Sequence, residues 1–246
     1  MEERMKINSI FESISGEVGP VIPQGMWTTF IRTQGCNLNP PCDYCDTPDA
    51  QGSGGLEMEI DEILSMCQTR NILITGGEPF FRPDMEILIE ELLKSKHIVQ
   101  IETNGTIPPK AENILDTRNL GFSADIKLPS SGVDLSRYDY ILENGKEWWQ
   151  LTERNCPIDF KFVFQTYFDL SVGLTYIQEL ENMFNAEMPW AKALVRYVFS
   201  PVDAGNGFDE LPKMVEYLRE QAKMIDRKLM DRVLLSIQIH KVLGLP

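Results

Sequence analysis

The sequence predicts an α/β fold in which a mainly parallel sheet, with helices outside it, curls toward an open or closed barrel. Three observations lead there. Short β-rich apolar runs alternate with amphipathic runs of helical period along most of the chain. Several of those β-runs end in polar or glycine-bearing loops, the side of such sheets where ligands collect. The 246 residues, 43% of them hydrophobic, also suffice for one sizeable core, so a single domain over 1–246 is expected.

Taken in order, MKINSIF (5–11) is the opening strand, and MWTTFIR (26–32) is the strand that feeds a cysteine-bearing loop. IDEILSMC (60–67) has helical period, and NILITGG (71–77) is an apolar strand that runs into glycines. PDMEILIEELLK (83–94) starts with a proline, whose missing N–H costs nothing in a first turn, and carries apolar residues at three- and four-residue steps. The strand HIVQIETNG (97–105) follows, then a short helix near 110–116 and the strand GFSADIK (121–127). The remainder reads as strand DFKFVFQT (159–166), helix 170–185, strand ALVRYVFSP (193–201), helix 209–229 and a last strand VLLSIQIH (233–240). That last strand is expected to join the sheet beside the first.

Charge and composition exclude several classes. A net charge of −14, with 37 acidic against 23 basic residues, disfavours nucleic acid as the main ligand, because backbone phosphates call for a basic face. No apolar run approaches the roughly 20 residues of a membrane span. The opening MEERMKINSIF has too little apolar length for a signal peptide, so a soluble, cytoplasmic protein is expected. An odd count of five cysteines in such a compartment argues against a disulfide framework. Cys67 and Cys156 read as inert structural thiols.

The other three cysteines, Cys36, Cys42 and Cys45, fall within ten residues of a loop rich in Pro, Asn and Asp. These are turn-forming rather than core-forming surroundings, which speaks against three unrelated buried thiols. A closed structural zinc site would need a fourth Cys or His, and the chain has only His97 and His240. Catalytic zinc with three thiolates remains open, although the partnering H-x-E context is missing. A four-iron, four-sulfur cluster held by three cysteines, with one iron left for a small molecule, is the other occupant such a loop can take.

GCNLNPPCDYCDT resembles the cluster loop of the radical S-adenosylmethionine (SAM) enzymes, whose usual C-x3-C-x2-C spacing here gains two residues. TGGEP (75–79) resembles their glycine strip beside the SAM amino group. FESISGEVG, FIRTQGCNL, CDT, ETNGT, DIKLPSSG and QIHKVLGLP together resemble the 7-carboxy-7-deazaguanine synthase family over residues 7–246. SGEVG (15–19) stands where that family usually has QGEG.

The resemblance implies a modified partial (β/α) barrel of the radical SAM type. It also implies conversion of 6-carboxy-5,6,7,8-tetrahydropterin to 7-carboxy-7-deazaguanine with loss of ammonia, on the way to queuosine or archaeosine. Cys36, Cys42 and Cys45 would hold the [4Fe–4S] cluster, and Thr47 would be the single protein ligand of a Mg²⁺ ion. Tyr44, Asp46, Gly76, Gly77, Glu78, Gly105, Asp125, Lys127, Ser200 and Asp203 would surround SAM. Ile14, Ser15, Gly16, Glu17, Arg32 and Thr103 would bind the pterin, Glu17 accepting its adjacent N–H donors and Arg32 clamping its carboxylate. The apolar ending is expected to dock, with the α-carboxylate of Pro246 as a further pterin acceptor. A flavodoxin or ferredoxin would supply electrons, and a homodimer is usual for the resemblance. The rival readings are another radical SAM enzyme, a glycyl-radical activator or peptide modifier, and a zinc-binding structural or regulatory module.

Overall fold

A computed structural model describes residues 4–134, 145–187, 191–202 and 210–245. Its sheet has nine strands in the order β3-β1-β2-β4-β5-β6-β7-β8-β9. They are β1 (Arg4–Ile14), β2 (Trp27–Thr33), β3 (Leu56–Glu59), β4 (Asn71–Gly76), β5 (Ile98–Thr103), β6 (Leu120–Ile126), β7 (Ile158–Phe164), β8 (Val195–Pro201) and β9 (Val233–Leu235). From β2 to β9 every pairing is parallel, while β1 runs antiparallel to both β2 and β3. The helices are α1 (Ile60–Ser65), α2 (Met85–Lys94), α3 (Gly145–Glu153), α4 (Tyr167–Glu187), α5 (Leu211–Ile225) and α6 (Ile239–Leu243). Among the described residues no helix is long and apolar enough to cross a membrane.

Alternation along the parallel strands separates two faces. Ile72 and Ile74, Val99 and Ile101, Phe122 and Ala124, Phe160 and Phe162, and Tyr197 and Phe199 all belong to one buried core shared with the helices. The residues between them on β5, β6 and β7 are polar: Gln100 and Glu102, Ser123 and Asp125, Asp159 and Lys161. A parallel strand covered by apolar layers on both sides reads as an unbroken apolar run. Polar residues at every second place mark an interior that is not filled by core.

Three expectations are corrected. β3 and α3 were not foreseen: β3 is only four residues long, and α3 is a short segment whose Trp148 and Trp149 are both buried. The last strand is three residues rather than eight, and the segment from Ile239 is helical. β9 also pairs with β8 rather than β1, so the sheet is open, with β3 and β9 at its edges. The reason lies in where the backbone donors go after β9. Ser236 N still bonds to Phe199 O at 2.9 Å, but Ile239 N bonds to Gly16 O at 2.9 Å, in the loop that follows β1.

That loop, Ser15 to Gly25, crosses the inner face of the sheet as a floor. Ile22 N donates to Gln100 Oε1 at 3.1 Å, Arg196 Nη2 to Gly19 O at 2.9 Å and Val18 N to Ser236 Oγ at 3.0 Å. Arg196 is itself gripped by buried Asp159, with both Nε and Nη2 at 2.7 Å from its carboxylate. The floor loop is thus tied to β5, β8 and the segment after β9 without forming a strand of the sheet.

Candidate functional site

The cysteine loop starts where β2 ends, and its base is built from backbone. Gly35 N bonds to Ala50 O at 2.7 Å, Cys36 N to Gln51 O at 3.1 Å and Glu78 N to Gly35 O at 2.8 Å. Gln34 ties the returning chain with Nε2 to Asp49 O at 3.0 Å and to Gly52 O at 2.9 Å. Cys45 N bonds to Cys42 O at 3.1 Å, which makes the C-x2-C half a turn. Asn39, Pro40 and Pro41, inside the longer first gap, are exposed, so the extra length bulges outward.

The glycines of TGGEP allow the loop to lie flat on β4. Gly76 has φ +116°, and a Cβ there would stand 2.5 Å from Thr33 N and O. At Gly77 a Cβ would stand 2.0 Å from Gly35 O and 2.8 Å from Ala50 O. The neighbouring Glu78 is fully buried and faces away from the cavity. Its Oε1 accepts Thr103 Oγ1 at 2.7 Å and Phe80 N at 3.0 Å, and its Oε2 accepts Asn104 N at 2.7 Å. Burial pushes this carboxyl up to about 7 against those three donors. Glu78 therefore clamps ETNG to GGEP and presents neither oxygen to a ligand in the cavity.

One cavity of about 630 Å³ gathers most of the expected residues. Its lining includes Cys36, Cys42, Cys45, Tyr44, Asp46, Thr47, Gly76, Gly77, Thr103, Asp125, Lys127, Ser200 and Glu17. Three thiols and no imidazole line it, a donor set that suits a thiolate-held iron–sulfur cluster, and the volume exceeds what a lone metal ion needs. Burial raises the Cys36 and Cys42 thiols, so a metal must displace their protons on binding. Asn104 Nδ2 lies 3.8 Å from Cys36 Sγ and 2.8 Å from Asn37 Oδ1, an amide donor held against one cluster cysteine.

The other walls are charged. Lys127 Nζ is 2.6 Å from Asp125 Oδ2 and 5.9 Å from the centre of the Tyr44 ring, whose buried hydroxyl has no partner among the described residues. Glu17, on the floor loop, bonds to Lys161 with one carboxylate oxygen and to Gln238 with the other. Burial works against the Lys161 ammonium, yet the carboxylates of Glu17, Asp125 and Glu102 outweigh it and hold the group charged. Glu102 accepts Thr75 Oγ1 at 3.2 Å, and burial pushes its carboxyl up to about 7. Asp46 forms an ion pair with Lys241 of α6 at 3.2 Å, linking the cysteine loop to the last helix.

Several expected residues lie outside this wall. Ser15 is buried beneath Glu17, its Oγ donating to Glu17 O at 3.3 Å, and Gly16 is packed under His240. Ile14 ends β1 opposite Trp27, behind the same loop. Gly105 is held from behind, its carbonyl accepting Trp148 Nε1 at 3.1 Å. Arg32 stacks 4.7 Å from the centre of the Phe11 ring, and its Nε is buried with no partner among the described residues. Asp203 and Pro246 lie outside the described residues. Sequence reasoning missed Lys161, Glu102, Gln165, Gln238 and Lys241, all of which line the cavity. For Lys161 and Glu102 the signal was present: a charge on the polar face of a parallel strand whose alternate residues are apolar.

A family model for the Radical SAM superfamily matches residues 30–131. The 7-carboxy-7-deazaguanine synthase of Clostridium acetobutylicum is 33% identical over 248 residues, covering 98% of this chain and 96% of that one. Its namesake in Methanothermobacter thermautotrophicus is 31% identical over 258 residues and 98% of each chain. That of Methanospirillum hungatei is 30% identical over 98% of this chain and 86% of its own. Among solved structures, Streptococcus suis SuiB bound to S-adenosylmethionine aligns with a TM-score of 0.55 at 16% identity, over 83% of this chain and 48% of that one. A second, anSMEcpe with bound AdoMet, aligns with a TM-score of 0.53 at 15% identity, over 82% and 60%. The chain spans about half the length of SuiB, and these two likenesses concern the fold alone.

Proposed function

The chain belongs to the radical SAM superfamily and, within it, to the 7-carboxy-7-deazaguanine synthase family, and from that membership we propose that its cavity contracts the ring of 6-carboxy-5,6,7,8-tetrahydropterin to 7-carboxy-7-deazaguanine with loss of ammonia. It is an enzyme, a radical SAM lyase of 7-deazapurine biosynthesis. The observation that carries the detailed reading is one cavity whose wall joins the three clustered thiols to the charged floor at Glu17. The rival readings fare worse, because the relatives named above match almost the whole chain.

Cys36, Cys42 and Cys45 would hold the cluster, with SAM along Gly76 and Gly77 and toward Tyr44, Asp125, Lys127 and Ser200. When bound, the cluster and SAM would supply one-electron chemistry, using an electron from the donor, for hydrogen-atom abstraction from the substrate. The rest is binding and orientation by the chain. Glu17 would accept the paired N–H donors of the pterin through lone pairs left free by Lys161 and Gln238. Arg32 does not line the cavity, so its role as clamp for the pterin carboxylate rests on the family resemblance, with its buried Nε, which has no acceptor among the described residues, as the donor available for it. The whole chain would act as one domain, as a homodimer, with a flavodoxin or ferredoxin as electron donor. Incubating cluster-reconstituted protein with SAM, reductant and the carboxytetrahydropterin should yield the deazaguanine acid by mass spectrometry. Persistent absence of that product, with SAM cleavage intact, would redirect the assignment to another substrate.

Magnesium belongs to the same proposal. The Thr47 hydroxyl lines the cavity beside Cys45, 4.0 Å from its Sγ and 3.4 Å from Gly76 O. Magnesium keeps most of its waters and needs few protein ligands, so one hydroxyl with substrate oxygens would serve. Thr47→Ala should lower turnover about tenfold or more, the scale of losing a group near a metal, and blunt stimulation by Mg²⁺. Cluster content and SAM binding should stay the same. A variant with the wild-type magnesium response would reduce Thr47 to a turn residue.

A further inference from the structure

Lys161 occupies the middle of β7, between Phe160 and Phe162, whose rings belong to the outer core. Its side chain therefore crosses to the inner face, and only 11% of it is exposed. A lysine in that place has given up most of its hydration, a cost that an aliphatic residue would not carry. The partners around it identify what requires the charge. Asp125 is already paired with Lys127 at 2.6 Å, and Glu102 is bonded to Thr75 at 3.2 Å. Glu17 is the carboxylate in direct contact with the ammonium.

Glu17 sits on an irregular loop, so no strand ladder fixes the direction of its side chain. Two donors do that instead, Lys161 on one oxygen and Gln238 on the other. They come from different elements and approach different oxygens, which sets the plane of the carboxylate. We propose that Lys161 is the positioning residue of this site: from β7 it holds the Glu17 carboxylate in one orientation, turned to a ligand edge that carries adjacent N–H donors. This rests on the functional reading above, which makes that ligand a reduced pterin. Without the ammonium, the Glu17 carboxylate is held by Gln238 alone among the described side-chain donors, and one contact does not fix its plane. A carboxylate free to turn offers the paired donors of the ligand no fixed acceptor edge.

The test uses the full chain with its cluster reconstituted, titrated with 6-carboxy-5,6,7,8-tetrahydropterin by calorimetry without reductant. Lys161→Met should weaken binding about tenfold or more, with KM rising in step and kcat changing less. Lys161→Arg, which keeps the charge, should recover most of that loss. Iron, sulfide and SAM binding should match wild type in both variants. The deciding comparison is a double variant: once Glu17→Gln has removed the anion, adding Lys161→Met should cost nothing further. An equal loss in that background would mean that Lys161 acts independently of Glu17, and wild-type affinity in Lys161→Met would mean that it has no role in binding. Loss of the cluster in both lysine variants would make the residue structural. Each of these three results overturns the inference and leaves the functional reading standing. Wild-type protein that ignores the pterin overturns that reading, and the inference with it.

Discussion

Cys42→Ala protein should lack the visible iron–sulfur absorbance and turn over no substrate, while keeping the secondary structure of the wild type. Cys42 opens the tight C-x2-C turn and lines the cavity with Cys36 and Cys45. The chain has no nearby substitute, since Cys67 lies on the helical side beyond α1 and Cys156 precedes β7 in the buried core. The outward bulge of Asn39, Pro40 and Pro41 leaves the first cysteine on the same cavity wall despite the longer gap. The fold itself should survive, because the thiol is half-buried and its loop is held by backbone bonds at Gly35 and Cys36. Iron and sulfide assays with far-ultraviolet circular dichroism decide the matter. A Cys42→Ala protein with an intact cluster and activity would remove this cysteine from the ligand set.

Gly77→Ala is expected to do comparable damage without touching a thiol. Its methyl group would stand 2.0 Å from Gly35 O, and the obstacle is backbone, which cannot swing aside. Relief requires lifting the base of the cysteine loop, and that breaks the 2.8 Å bond from Glu78 N to Gly35 O. Overpacking and one lost buried hydrogen bond together cost about 2–4 kcal/mol. For a chain of this size that is a fall of roughly 5–15 °C in Tm. Cluster loading should drop with it, since the loop that carries Cys36 is the part displaced. Differential scanning fluorimetry and iron content measure both, and unchanged values would show that the loop can retreat at no cost.

Much of this was legible because one alternation in the parallel strands serves two faces. The 2.0-residue alternation of IVQIET, FSADI and IDFKFVF sets the apolar face toward the helices. The same alternation lines up Glu102, Asp125 and Lys161 on the other face. The cysteine spacing, the GGEP turn and the ETNG strand end are local features, and local features survive in a sequence. What could not be read was pairing over distance. Nothing near Glu17 announces that its partners are Lys161 and Gln238, and nothing in TGGEP reveals that Glu78 turns inward to Asn104. The final strand misled for a related reason. Its alternation to His240 is real, but its backbone donors meet the floor loop before another strand can.

The floor also has a place in time. Each crossover of the parallel sheet joins neighbours close in the chain, so the ladder from β2 to β8 can be laid down strand upon strand. The floor obeys another rule, since its bonds join residues 221 and 218 positions apart, Glu17 to Gln238 and Val18 to Ser236. Such bonds have no partner to meet until the segments after β1 and after β9 are both in place. In order of assembly, the cysteine loop with its glycine bed is expected to form with the early, local half of the molecule. The charged floor that would receive the pterin is expected to close with the late, long-range half.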